Sequence, residues 1–211
     1  MIVNCSEVKT EQLYRILLGA VSPRPIAWVS TISAAGVYNL APFSFYNVCS
    51  VKPPILGFSP GYKKLASADH DAVDKDTLRN IRTTGEFVVN VVSQFLVEQM
   101  NQSSANYGVD ISEFAAVNVT ATPSSQVKPP RVGEALVSME CKLFHIHDLG
   151  GSALVLGEII CIHMQDQVLK QDLLKQGELS IDLDVLQPVG RLSGNLYSTI
   201  KDRFEIARPE F

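Results

Sequence analysis

The chain has 211 residues, of which 46% are hydrophobic and 19% are charged, and its net charge is −4. These values are typical of a globular protein with a substantial core, and the acidic charge argues against a nucleic-acid-binding protein, which usually presents a basic face. The sequence contains neither a secretory signal pattern nor a run of about 18 apolar residues that would span a membrane, so we expect a cytoplasmic protein.

The first predicted element is a short amphipathic helix. Thr10 is a suitable N-cap, and Gly19 lies where a C-terminal glycine is expected. Leu13, Ile16 and Leu17 recur at helical spacing and form one apolar face.

Three strands are predicted next, over residues 25–33, 37–47 and 54–59. Their residues are largely β-branched, aromatic or otherwise apolar, and Gly36 suits the turn that reverses the chain after the first strand. A loop that carries glycine and lysine, residues 59–64, follows the third strand.

A polar stretch then extends to Asp76 and leads into a predicted helix over residues 77–84. Gly85 is expected to end this helix, because glycine readily adopts the left-handed conformation of a C-terminal cap. Residues 87–92 are dense in β-branched side chains and predict a largely buried strand.

The remaining pattern predicts a helix over 94–102, an irregular surface excursion over 103–132, and two strands near 135–147 and 153–164. The turn at residues 148–151 joins these two strands as a hairpin. Many short antiparallel strands with few helices favour a closed or partly closed β-barrel rather than a doubly wound sheet. We expect one domain over residues 1–211.

Residues 24–31 and 39–47 combine strand character with many hydroxyl, amide and aromatic side chains. A strand that served only stability would not need this mixture, which suits a planar heteroaromatic ligand with several hydrogen-bonding edges. The chain lacks a G-x-G-x-x-G turn, a G-x-x-x-x-G-K-[ST] loop and a G-x-S-x-G elbow. A Rossmann domain, a P-loop and a serine hydrolase are therefore disfavoured.

A second candidate feature is the start of the helix over residues 77–84. Unpaired N–H groups at a helix N-terminus attract phosphate, to which Lys75 could add a charge and Thr77 a hydroxyl donor. The competing interpretation is that Asp76 or Thr77 simply caps the helix. Taken alone, the pattern favours capping.

Metal binding is a third hypothesis. His145 and His147 alternate on one predicted strand, and Cys161 and His163 alternate on the next, so four zinc or iron ligands could face one another. Same-face histidines on a half-exposed strand are common without a metal, and we expect no metal site. The four cysteines are expected to be free thiols, and only Cys49 lies near the suspected pocket.

Several motifs occur together in an order that is similar to one known family. The N-terminal signature is residues 23–31 followed by Asn39-Leu40-Ala41-Pro42-Phe43-Ser44. The later motifs are residues 53–54, 75–81, 85–90, 128–132, 157–158 and 191–198. Over nearly its whole length, the chain resembles the flavin reductase-like family of FMN-binding split barrels, the group that includes flavoredoxin.

The resemblance implies a mainly β split barrel with short helices and Greek-key-like antiparallel strands, assembled as a homodimer with FMN near the subunit interface. Lys75 and Thr77 match the phosphate side, which reverses the preference for capping. The other implied FMN-binding residues lie near the ring or on a late loop, and they are Ser30, Thr31, Asn39, Ala41, Ser44, Asn47, Arg191, Gly194 and Tyr197.

Two redox functions are compatible with this resemblance, beside a third hypothesis of a split-barrel protein that binds another planar ligand or none. The first is an NADH- or NADPH-dependent flavin reductase, which passes electrons from reduced flavin to free flavin, a monooxygenase partner or another acceptor. The second is a flavoredoxin-type electron carrier without nicotinamide turnover of its own. In both, the redox chemistry occurs at flavin N5, so no catalytic side chain is expected.

Overall fold

The computed structural model describes residues 1–63 and 72–209, so the expected polar stretch before Asp76 is described only from residue 72, and Lys64 lies outside the described residues. The helices are α1 (Thr10–Ala20), α2 (Asp76–Thr84), α3 (Val97–Gln102), α4 (Glu113–Ala116), α5 (Gln171–Leu174) and α6 (Leu183–Leu186). The strands are β1 (Ala27–Ile32), β2 (Tyr38–Phe43), β3 (Tyr46–Val51), β4 (Pro54–Phe58), β5 (Glu86–Val91), β6 (Ala121–Thr122), β7 (Arg131–Val132), β8 (Val137–Asp148), β9 (Ala153–Met164), β10 (Gly190–Arg191) and β11 (Tyr197–Ser198). Short 3-10 helices cover Cys5–Glu7, Gln94–Leu96 and Asp166–Val168.

Seven strands form one antiparallel sheet in the order β2-β1-β5-β8-β9-β4-β3. Its two edges, β2 and β3, are separated in sequence only by Ser44 and Phe45. Because this link spans at most about 11 Å, the end of β2 lies close to the start of β3, and the sheet curls into a barrel with an open seam. The connection from β4 to β5 passes β9 and β8 in Greek-key fashion. The predicted mainly β split barrel with short helices is confirmed.

Alternate residues of the strands contribute to two hydrophobic clusters. Val29, Phe58 and Phe87 are fully buried in the first cluster, which lies inside the barrel. Helix α2 packs against β1 and β2 and adds Leu78 and Ile81 to this cluster. The helix that carries the predicted phosphate-binding residues is therefore fixed to the barrel core.

The second cluster covers the opposite face of β1 and β2. Trp28 and Leu40 pack there against Met100 and Phe114. Trp28 is fully buried, and its Nε1–H donates a hydrogen bond to Ser103 Oγ at 2.9 Å. The polar segment that follows α3 is thereby anchored to the core.

The structure corrects several predicted boundaries near the N-terminus. Helix α1 extends one residue past Gly19, and its N-cap is Lys9 rather than Thr10. The helix ends shortly before Pro23, because the residue that precedes a proline disfavours helical backbone. Residues 37–47 belong to two strands, β2 and β3, rather than to one.

The other predicted elements are found close to their expected positions. Helix α2 ends at Gly85, which has φ +68° as its capping role requires. The helix predicted over 94–102 begins as a 3-10 turn, and the excursion over 103–132 contains α4, β6 and β7. Within residues 1–63 and 72–209, no helix is both long enough and apolar enough to cross a membrane.

Candidate functional site

A cavity of about 520 Å³ lies between β2, the start of α2 and residues 103–107. This volume is typical of a small-molecule binding site. The polar side chains in its wall include Asn39, Lys63, Lys75, Thr77, Ser104 and Glu113.

A smaller cavity of about 180 Å³ adjoins the first, since Pro42, Phe43 and Ser104 line both. Ser44, Arg191 and Tyr197 are found in its wall, together with apolar groups from Ile26 and Met100. The two cavities form one groove along β2.

The hairpin of β10 and β11 brings Arg191 to this smaller cavity. The Arg191 guanidinium lies 4.4 Å from the centre of the Tyr197 ring, and it also donates a hydrogen bond to the carbonyl of Gly194. The Tyr197 hydroxyl donates to Asn101 Oδ1 at 2.9 Å, so the hairpin is linked to the end of α3. These contacts place a cation at one end of the groove.

The start of α2 has no side-chain cap. Lys75 is the N-cap residue, and its side chain bonds to no backbone N–H of the helix. The Asp76 carboxylate instead pairs with Lys63 at 3.0 Å and with Arg79. Burial alone would raise the pKa of Asp76, but the hydrogen bonds from these two cations lower it. The interpretation that Asp76 or Thr77 caps the helix is therefore wrong.

Thr77 lies in the first turn of α2 and is 2% exposed. Its Oγ1 accepts a hydrogen bond from Asn39 Nδ2 at 3.0 Å, an arrangement that leaves its own hydroxyl hydrogen for a further acceptor. Together with the N–H groups of the first helical turn and the Lys75 charge, this hydroxyl forms a donor set suited to an anion such as phosphate.

Glu113 introduces a carboxyl group into the same cavity. It is 9% exposed, and its Oε2 accepts a hydrogen bond from the Leu40 N–H at 3.0 Å. Burial raises the pKa of Glu113, and the nearby Asp76 carboxylate raises it further against the opposing effect of backbone hydrogen bonds. A bound anion would raise the pKa of Glu113 further and favour its protonated form.

The structure brings most of the predicted site residues to the groove. Seven of them line one of the two cavities, and they are Asn39, Ala41, Ser44, Lys75, Thr77, Arg191 and Tyr197. Gly194 lies beside them, because its carbonyl accepts the Arg191 hydrogen bond.

Three predicted residues lie elsewhere. Ser30 is fully buried and donates to the carbonyl of Pro130, on the opposite face of β1 from Thr31. Thr31 is also fully buried, and its hydroxyl accepts a hydrogen bond from Asn80. Asn47 is exposed on β3 and lines neither cavity. Thr31 therefore links β1 to helix α2, Ser30 links β1 to the segment before β7, and neither lines the groove.

Sequence reasoning missed residues 103–107 and Glu113, which were assigned to a surface excursion. The available signal was the polar run Asn101-Gln102-Ser103-Ser104, which spans the end of the helix predicted over 94–102. Nothing in its spacing indicated that the segment folds back over β2.

The four-ligand metal hypothesis is not supported by the strand register. His145 and His147 have ring centres 4.2 Å apart, but His147 pairs with Leu154 and so lies several residues from His163. Cys161 instead pairs with Glu140, whose carboxylate contacts His163. The hypothetical set of two histidines facing Cys161 and His163 is therefore not formed.

Comparisons with known proteins give consistent matches over the chain. The family described as flavin reductase like domain matches residues 19–179. An uncharacterized protein of Halalkalibacterium halodurans is 39% identical, over 99% of this chain and 97% of the relative. Among solved structures, the 2-nitrobenzoate 2-nitroreductase of Pseudomonas fluorescens has a TM-score of 0.86 and 31% identity, covering 100% of this chain and 98% of that one. Component B of the nitrilotriacetate monooxygenase from Bacillus cereus has a TM-score of 0.87 and 28% identity, covering 98% of both chains.

Proposed function

The chain belongs to the flavin reductase-like family, as its motifs indicated, and we propose that it is an FMN-binding oxidoreductase that uses NADH or NADPH. Reduced flavin would pass its electrons to free flavin, to a monooxygenase component or to another acceptor. The donor set at the start of α2 is the observation that supports FMN as the bound flavin, because these donors can bind its terminal phosphate.

The phosphate end of this site consists of Thr77, Lys75 and the first N–H groups of α2. The Asn39 amide fixes the Thr77 hydroxyl at 3.0 Å, so the remaining hydroxyl hydrogen is held ready for a phosphate oxygen. Asp76 does not oppose the phosphate fully, because Lys63 and Arg79 already pair with its carboxylate.

The ring end follows β2, where Asn39, Ala41 and Ser44 line the groove. Amide, hydroxyl and backbone groups match the donors and acceptors of an isoalloxazine edge, and Phe43 offers an apolar surface. When bound, the flavin would supply the hydride chemistry, and the chain would contribute binding, orientation and exclusion of water. Arg191 and Tyr197 would close the far end of the groove.

The similarity to two solved structures supports a proposal for the acceptor that receives electrons from the reduced flavin. One is described as component B of a monooxygenase and the other as a nitroreductase. Delivery of electrons to a monooxygenase partner is the role that we favour for this chain, and reduction of a small aromatic acceptor in the same groove is the second candidate.

We also propose that the protein is a homodimer. The edge strand β3 and the link before it expose apolar side chains, with Phe45 at 45%, Val48 at 58% and Val51 at 84% of their full accessible surface. Helix α1 has no buried residue, and Ile16 and Leu17 on it are about half exposed. A second copy of the chain would cover these surfaces, and Asn47 on β3 would then lie near the subunit interface.

An anaerobic titration of the FMN-loaded protein with NADH and with NADPH tests the function directly. Bleaching of the flavin absorbance by one of them, followed by recovery with an added acceptor, is the expected result. A protein that binds FMN but is reduced by neither nucleotide would instead favour the electron-carrier role. Failure to bind FMN at all would refute the proposed site.

A further inference from the structure

Three potential metal ligands meet on the outer face of the β8–β9 hairpin, away from the flavin groove. Glu140 and Cys161 are directly paired across the two strands, and His163 follows Cys161 by two residues on the same face. One ligand atom from each residue lies within 4.8 Å of the others.

Three side-chain heteroatoms surround one ring nitrogen of His163. Its Nε2 lies 2.5 Å from Glu140 Oε1, 3.4 Å from Ser125 Oγ and 3.6 Å from Cys161 Sγ. One ring nitrogen carries at most one hydrogen, so it can donate to only one of these neighbours, while the Ser125 hydroxyl and the Cys161 thiol carry hydrogens of their own. A single cation among them would satisfy the nitrogen, the carboxylate and the sulfur together.

The carboxylate of Glu140 is held in place by an outer set of hydrogen bonds. The side chain is fully buried, and its two oxygens accept from the N–H groups of Ser125 and Gln126, each at 2.6 Å. The Val127 N–H adds a longer bond of 3.2 Å. Such outer hydrogen bonds are typical of carboxylates that ligate metals, because they fix the direction of the remaining lone pairs.

The dimensions are close to those of a tetrahedral zinc centre. Ideal zinc–sulfur and zinc–nitrogen bonds place the two ligand atoms about 3.6 Å apart, which is the observed separation of Cys161 Sγ and His163 Nε2. The nitrogen–oxygen separation would have to widen to about 3.3 Å. Rotation of the His163 ring can provide this change, since its side chain is 23% exposed.

The site has an approach from solvent. A cavity of about 290 Å³ borders His163 and is also lined by Arg131 and Gln165. The Arg131 guanidinium donates a hydrogen bond to the carbonyl oxygen of Pro123, and this bond partly offsets the positive charge of Arg131 beside the cavity. Water can therefore reach the His163 side of the cluster.

We propose that Glu140, Cys161 and His163 bind one divalent cation of the zinc class. Their oxygen, sulfur and nitrogen donors suit zinc or cobalt, and a water or the Ser125 hydroxyl completes the coordination. The bound ion fixes residues 125–127 to the barrel. This site shares Cys161 and His163 with the four-ligand hypothesis but contains Glu140 instead of His145 and His147, and it departs from the sequence-based expectation of no metal.

Cobalt(II) provides the test, because a thiolate ligand gives it a near-ultraviolet charge-transfer band. Chelator-treated protein is titrated with cobalt chloride, and difference spectra are recorded against the same protein without metal. We expect the band to saturate at one equivalent and to be displaced by zinc. Zinc should also raise the midpoint of thermal unfolding, since a ligand that binds only the folded state stabilises it.

The variants separate this site from adventitious thiol binding. Cys161→Ser should remove the charge-transfer band and weaken zinc binding by more than the roughly 100-fold that changes outside the ligand set cause. Cys49→Ser, which alters an exposed free cysteine outside the cluster, should retain both. His163→Gln is the second ligand variant, and FMN affinity reports whether each variant is folded. A band that is absent from the unaltered protein, or that survives in Cys161→Ser, would overturn the proposal.

Discussion

Replacing Thr77 with valine tests the phosphate end of the groove while nearly preserving side-chain volume. The change removes the hydroxyl hydrogen that we assign to a phosphate oxygen. The loss of one hydrogen bond to a charged group should cost about 1–2 kcal/mol of binding free energy. FMN affinity should therefore fall about 5- to 30-fold. The same change removes the acceptor of the Asn39 amide. Because Asn39 borders the cavity, water can replace part of that bond, and we expect a stability loss near 1 kcal/mol.

The assay is a fluorescence titration with FMN and, in parallel, with riboflavin, which has the same ring but no phosphate. Thr77→Val should weaken FMN binding and leave riboflavin binding nearly unchanged. Thr77→Ser keeps the hydroxyl and is the matched control, so its affinities should remain close to those of the unaltered protein. Urea unfolding of the ligand-free variants measures the separate effect on stability.

Two results would refute this reasoning. If the FMN affinity of Thr77→Val changes less than about twofold, Thr77 does not donate a hydrogen bond to the phosphate. An equal loss for FMN and riboflavin would show that the substitution acts through the shape of the groove, with Asn39 displaced, rather than through a phosphate contact.

Three further substitutions probe the surroundings of the groove and the barrel core. Glu113→Gln keeps an acceptor but removes the charge, so FMN should bind about fivefold more tightly at pH 7, and titrations at lower pH should show the gain disappearing as glutamate becomes protonated. Gly157→Ala places a methyl group 2.2 Å from Phe87 Cζ and should lower the free energy of unfolding by about 1–3 kcal/mol in urea. Trp28→Phe removes the hydrogen bond to Ser103, which should cost about 2 kcal/mol of stability and also weaken FMN binding.

Each of these has a comparison that could contradict it. The pKa of Glu113 is raised in the folded state. Its negative charge therefore destabilises the fold when the pH is above this raised pKa, and the effect vanishes when the pH is below the ordinary pKa of glutamate. Glu113→Gln should therefore stabilise the protein at pH 7, and an effect that is the same at acidic pH would contradict this sign. Gly19→Ala, where the added methyl meets open space in a helix, should stabilise by about 0.5–1 kcal/mol. If FMN affinity is unchanged in Trp28→Phe, the hydrogen bond that anchors Ser103 does not contribute to FMN binding.

Much of the barrel could be predicted because strand signals are local. Residues 87–92 and 153–164 carry enough β-branched and apolar side chains to specify strands β5 and β9. The break at Ser44 and Phe45 could not be predicted, since it is caused by closure of the sheet and leaves no break in the hydrophobic pattern. Gly19 misled the prediction because a glycine ends a helix only when its φ is positive, and sequence does not report φ.

The candidate site was predictable where a motif fixes both residue and position. Asn39, Lys75 and Thr77 belong to motifs of the family, and the fold brings all three to one cavity. Ser30 and Thr31 are adjacent on β1, so strand alternation sends them to opposite faces and they cannot line one surface together. The contribution of residues 103–107 depends on the packing of Trp28 against that loop, which is a long-range contact that no local pattern encodes.

The hydrogen bond from the Leu40 N–H to Glu113 also affects how β2 can pair. Leu40 lies on β2, an edge strand, and its N–H points away from β1 toward the open seam. The next residue that faces the same way is Pro42, which has no N–H. An incoming strand would thus lack two successive donors on this edge, as in other proteins whose edges resist strand addition. The same carboxyl group that borders the cavity therefore occupies a backbone donor that a second strand would need for pairing with this edge.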